Sequence, residues 1–179
     1  MDQTLAKQFL TTTFTKNQAL RRLRLAKELL ELLFFQGANP DDFENTFNKL
    51  KAKYSPYFVG QEGLEEDVKF IYTLGPNFFK NFSTVNINDQ TALLEKSIND
   101  TKNILMYLPF ELPEDQVIVL GGWFKKNLGE DTLFEINYDP ELIGGCAISY
   151  KGIYKDFSLR AKVNENKVKI LEVLGGYKR

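Results

Sequence analysis

The chain has 179 residues, with 23 lysines and arginines against 24 aspartates and glutamates, one cysteine and no histidine. That balance lacks the basic excess that marks nucleic-acid binding. The lone cysteine excludes an intramolecular disulfide, and the absence of imidazole removes histidine catalysis and most zinc chemistry. A content of 43% hydrophobic and 26% charged residues is ordinary for a globular chain of one medium or two small domains.

Leu5 to Phe35 reads as helical, weakening around Thr11–Thr15, which fits either two helices or one with a soft middle. From Ala19 onward good helix formers dominate, and Leu20, Leu23, Leu30 and Phe34 can share a face, with Ala19, Ala26 and Leu33 beside them. Gly37 reads as a C-cap and Asn39-Pro40 as a new start. Asp41 to Tyr54 is a second amphipathic helix on Phe43, Phe47 and Leu50, ended by Ser55-Pro56. Leu64 to Leu74 is a third, with Val68, Ile71 and Tyr72 inward, ended by Gly75-Pro76. Asn77 to Asn86 fits a short helix or an ordered loop. A further helix starts at Asn88-Asp89 and buries Leu93, Leu94, Ser97 and Ile98.

Near Asp100 helical spacing gives way to shorter apolar runs, which divides the chain into residues 1–100 and 101–179. Ile104 to Leu108 reads as a strand closed by Pro109. Val117 to Leu120 favours strand by propensity, and Gly121-Gly122 would cost a helix roughly 1 kcal/mol each. Pro113, Glu114 and Asp115 nevertheless suit a helix start, and Lys125-Lys126 its end, so Pro113 to Leu128 is assigned as a helix whose glycines let it lie close on a sheet. Leu133 to Ile136 is a strand. Asp139-Pro140 stops the apolar run before it, and Gly144-Gly145 permits φ > 0 or a close backbone approach. A positive φ at Gly144 would make Gly144→Ala costly. Cys146 to Tyr150 and Ile153 to Lys155 form a hairpin turning at Lys151-Gly152. Asp156 and Ser158 have the side chains that cap helices, and one helix follows through Leu159, Val163, Ile170, Leu171 and Leu174 to Gly175-Gly176, leaving Tyr177-Lys178-Arg179 as a tail. The expected fold class is α+β: an N-terminal helical bundle, then a small α/β domain with a short sheet and two helices.

The run Asp139-Pro140-x-Leu142-Ile143-Gly144-Gly145, then Gly152, then Asp156-x-Ser158-x-Arg160, resembles the C-terminal signature of the F-type ATP synthase delta-subunit family. The mitochondrial counterpart of that family is the oligomycin-sensitivity-conferring protein. The similarity covers about Ile104 to Arg160, and Phe157 stands where the family usually has glycine. It implies a non-catalytic subunit of the peripheral stalk, without cofactor or metal. Its N-terminal bundle would hold N-terminal segments of the alpha subunits, and its C-terminal domain the C-terminal end of the stalk b subunit. It also implies a peripheral location on the cytoplasmic face of a bacterial plasma membrane, or on an organellar inner membrane. Membrane attachment is expected through partners: the strongest apolar run, Leu29 to Phe35, is broken by Glu31 and falls far short of the ~20 residues of a span. The first residues show neither a secretory signal nor a transit peptide.

Other readings of these residues are weaker. Gly144-Gly145 lacks the spaced glycines and following Lys-Ser/Thr of a phosphate loop. Asp139, Asp156 and Ser158 could serve a small hydrolase, but no base is at hand to activate the serine; capping by Asp156 or Ser158, with Arg160 bridging to a carboxylate, is the simpler role. Arg21, Arg22, Arg24 and Lys27 form either a solvated face or a docking face for an acidic or amphipathic partner helix. Cys146 reads as a buried small hydrophobe. Most of the 15 phenylalanines belong in the core, and any left exposed would suit a partner helix. An unrelated helical adaptor is the remaining alternative.

Overall fold

The computed structural model describes residues 3–35 and 42–176. The expectations at Gly37, Asn39-Pro40, Asp41 and Tyr177–Arg179 lie outside them. The fold is α+β, an N-terminal helical region followed by an α/β region with a short mixed sheet. The chain forms two compact units: the segment ending at Lys102 with Glu114–Leu133, and Asn103–Pro113 with the segment from Phe134 onward.

In the first unit, α1 (Gln3–Leu10) and α2 (Lys16–Phe35) are separate helices. Threonines divide them. Thr11 and Thr13 turn their hydroxyls back onto the carbonyls of Lys7 and Phe9, and Thr15 Oγ1 accepts from the Gln18 N–H at 3.1 Å while Gln18 Oε1 accepts from the Phe14 N–H at 2.9 Å. Thr15-Lys16-Asn17-Gln18 thus forms a reciprocal start close to a capping box, a signal carried by residue type rather than by apolar spacing. Helix α2 packs against α3 (Phe43–Tyr54), α4 (Leu64–Phe79) and α5 (Ile87–Asp100). Its buried stripe is Ala19, Leu23, Ala26, Leu29, Leu30 and Leu33. Leu20, expected to share a face with Leu23 and Leu30, is instead 36% exposed while those two are buried.

Gly75 (φ 70°, ψ 170°) interrupts α4, and Pro76 opens a last turn that carries Phe78 and Phe79 into the core. The first part of the ambiguous Asn77–Asn86 stretch is therefore helical and the rest is turn up to α5. Phe9 meets Phe70 edge-on at 5.4 Å and stacks near Phe78 at 6.4 Å, while Phe79 meets Phe43 at 5.6 Å. The phenylalanine clusters are largely core, as expected, although Phe35 is exposed. In α5, Leu94 and Ile98 are buried, but Leu93 and Ser97 are not.

Helix α6 (Glu114–Leu128) forms despite its β-branched run and belongs to the helical unit. A Cβ on Gly121 would lie 2.5 Å from the Phe14 side chain, whereas Gly122 has open space. The expected close approach is thus made to Phe14, not to a strand. Lys125 Nζ donates to the carbonyls of Leu10 (2.8 Å) and Glu130 (2.7 Å), tying the end of α1 to the turn after α6. Burial pushes this ammonium down to about 8, against the pull of Asp131 and Glu130. Those two acids are themselves paired, with Lys102 and Lys7. An unfolded lysine keeps its proton to about pH 10.4, so between about 8 and that value the unfolded chain binds more protons and stability rises with pH. Wild-type protein is therefore expected to gain melting temperature relative to Lys125→Met from neutral pH to about pH 10. Parallel scanning-fluorimetry curves would show that the charged lysine carries no burial penalty.

In the sheet the strand order is β2-β1-β3-β4, formed by β1 (Lys102–Leu108), β2 (Thr132–Tyr138), β3 (Ala147–Tyr150) and β4 (Ile153–Asp156). β1 and β3 pair antiparallel, as do β3 and β4. Lys151 (φ 50°) and Gly152 (φ 76°) make the tight hairpin turn that their sequence indicated. The expected single last helix is two, α7 (Leu159–Glu165) and α8 (Lys167–Gly176), broken at Asn166 (φ -101°, ψ 10°).

Candidate functional site

From Asp139 to Arg160 the second unit consists of short elements locked by local bonds. Asp139 Oδ1 accepts from the Glu141 N–H at 3.0 Å and starts a 3-10 turn, Pro140–Leu142, with proline in its first position. Leu142 is fully buried. Ile143 follows at φ 66°, uncommon for a β-branched residue, with its side chain 67% exposed.

Gly144 has an ordinary φ, and a Cβ there would meet only Leu159 at 3.9 Å. The residue requiring glycine is Gly145: its φ is 79°, and a Cβ would fall 2.5 Å from the Phe157 carbonyl oxygen. The chain here extends the hairpin ladder. The Phe157 N–H donates to the Cys146 carbonyl (2.9 Å) and the Leu159 N–H to the Gly144 carbonyl (2.8 Å). Cys146 is only half-buried, so the expectation of a buried hydrophobe is corrected: its neighbour Ala147 takes the interior place.

Ser158 is fully buried and caps α7, its Oγ accepting from the Ala161 N–H at 3.1 Å. Asp156 Oδ1 accepts from the Ser158 N–H at 2.8 Å, and hydrogen bonding from the Ser158 hydroxyl and N–H holds this carboxyl below the usual carboxylate range. Arg160 bridges to Glu141 at 3.0 Å, which joins α7 to the 3-10 turn. Asp139, Asp156 and Ser158 are thus each committed to backbone N–H groups.

What this frame presents is apolar. Val163 on α7, and Val168, Ile170, Leu171, Val173 and Leu174 on α8, are all between 38% and 69% exposed. On α8 the charged residues are Lys167 in the first turn and Lys169 and Glu172 at i and i+3, and from Ile170 on only Glu172 interrupts the hydrocarbon. A contiguous face of this kind marks an interaction surface.

The helical unit offers two concave regions. A groove of about 410 Å³ between α3 and α4 has Phe47, Phe58, Val68 and Tyr72 along it, flanked by Glu44, Lys51, Glu65 and Lys69. A more polar cleft of about 630 Å³ lies at α1 and α5. The basic cluster on α2 is not the open face it resembled in sequence. Arg22 is 5% exposed, its Nε donating to Asp67 Oδ1 at 2.8 Å; Arg21 bonds the other oxygen of Asp67, and Lys27 pairs with Glu95.

No family model matches this sequence, and no curated protein matches it. Among the described residues no group of three or more His, Cys, Asp or Glu is placed to hold a metal ion. Among the same residues no helix is long and apolar enough to cross a membrane.

Proposed function

We propose that this chain is a non-catalytic peripheral-stalk subunit of an F-type ATP synthase, equivalent to the delta subunit. The observation that carries the reading is the division of labour between Asp139 and Arg160 and the helices after them. The polar signature residues Asp139, Asp156, Ser158 and Arg160 are spent on capping and bridging, while apolar residues of α7 and α8 face outward. A tether needs that combination: a rigid mount and sticky surfaces, with no chemistry. In the complex, rotation of the central stalk exerts torque on the catalytic head, and proton flow drives ATP synthesis only while the head is held. Two attachment sites on one chain raise the effective concentration of each for its partner and keep the hold continuous.

The α7–α8 surface is the proposed seat for the C-terminal end of the b subunit. The α3–α4 groove, with an apolar floor and charged flanks, has the composition that receives an amphipathic helix, and we assign it to an N-terminal segment of an alpha subunit. Attachment to the membrane then comes through these partners.

The test is a pull-down from source membranes with the whole chain as bait, read by mass spectrometry. Alpha, beta and b subunits are the expected catch. Their absence with folded bait would leave an unrelated adaptor. ATP hydrolysis copurifying with the chain and lost on Asp156→Asn would replace the tether with an enzyme.

A further inference from the structure

The sheet of the second unit has an apolar face that runs beyond its own burial. On β1, Ile104 and Met106 stand on that face and are 1% and 5% exposed. Their cross-strand partners on β3 are Tyr150 and Ile148, which are half-buried. One strand further, Ile153 stands opposite Tyr150 and Lys155 opposite Ile148. Ile153 is 63% exposed, and Phe157, next on the same row, is 52% exposed. The core face is thus closed at β1 and open at β4, the edge strand.

Ile148, Tyr150, Ile153, Lys155 and Phe157 line an open groove of about 320 Å³. Among these lining residues Lys155 carries the only charge. Lys151 lies at the turn, its ammonium 5.3 Å from the centroid of the Tyr150 ring. Among the described residues neither lysine has a carboxylate within ion-pair distance. Four strand residues span roughly 13 Å, about two turns of an α-helix.

We infer that this groove seats an amphipathic helix of another chain, with two apolar side chains one turn apart on Tyr150, Ile153 and Phe157 and a glutamate or aspartate on Lys155. The acidic partner follows from charge complementarity: an apolar trough lined by one unpaired cation rejects a basic helix and orients an acidic one. The site is additional to the α7–α8 surface, and the tether reading does not require it.

The probe is a pair of labelled synthetic helices with the same leucine face and either glutamate or lysine flanks, titrated with the full chain and read by fluorescence anisotropy. The glutamate helix is expected to bind, and to bind less well as salt rises. Lys155→Glu should lower its affinity roughly tenfold and move the preference toward the lysine helix. Ile153→Ser should weaken both. Lys155 and Ile153 are exposed, so both variants should keep the wild-type melting curve, which is checked first. Equal binding of the two helices, no binding of either, or an affinity indifferent to Lys155→Glu would each overturn the inference. Stalk subunits recovered by a Lys155→Glu bait, with peptide binding unchanged, would leave the tether standing without this groove. Charge-selective peptide binding without stalk subunits would do the reverse.

Discussion

Asp67→Ala is expected to destabilise the helical unit by about 3–5 kcal/mol, the loss typical when one member of a buried ion pair is removed. Asp67 has no exposed surface and accepts 2.8 Å bonds from both Arg21 and Arg22. Arg22 is the partner that suffers. Its guanidinium also donates to the Thr12 carbonyl and the Thr13 hydroxyl and lies 4.0 Å over the Phe70 ring. Burial pushes its pKa below the ordinary value, and the hydrogen bond and charge of Asp67 pull it back. Without the carboxylate, a cation stays buried with no acid bonded to it and only the weaker pull of Glu114 as counter-charge. Arg21→Ala is the control: that side chain is 45% exposed, and its loss should cost less than about 1 kcal/mol. Urea unfolding followed by circular dichroism measures both, and equal shifts of the two midpoints would mean that Arg22 does not depend on Asp67.

Gly145→Ala is expected to cost about 2–4 kcal/mol, and Gly144→Ala less than about 1 kcal/mol, although the two residues are neighbours. At Gly145 two penalties coincide. An L-residue in the left-handed region is strained, and the new methyl would press on the Phe157 carbonyl oxygen and the Ser158 Cα, 2.5 and 3.1 Å away. Both are backbone atoms held by the bond from the Phe157 N–H to Cys146 and by the buried Ser158 cap, so neither can yield cheaply. At Gly144 the added methyl meets Leu159 at ordinary contact distance. Thermal unfolding of the two variants in parallel tests the contrast, and a larger loss at Gly144 would refute the assignment of the strained position.

The sequence carried the α+β fold class, the hairpin at Lys151-Gly152, a helix cap at Asp156 or Ser158 and most of the aromatic core. Those features depend on local chemistry. Spacing along one helix selects its buried stripe, proline and glycine set turns through their own dihedrals, and a serine oxygen reaches an N–H three residues away. Helix α6 was legible for the same reason: its terminal charges and the proline just before its first turn outweighed the propensity of Val117 to Leu120.

Tertiary structure alone decided matters that depend on distant neighbours. Arg22 reads in sequence as one of four surface cations, and only Asp67, 45 residues along the chain, makes it a buried one. Which glycine of Gly144-Gly145 is indispensable depends on Phe157 and Ser158 coming alongside. The apolar residues of α8 are left uncovered, because periodicity reports which side chains share a face but not whether anything covers it. The same holds for Ile153 and Phe157 at the sheet edge. Burial is a property of pairs of surfaces, and one strand or helix encodes only its own half.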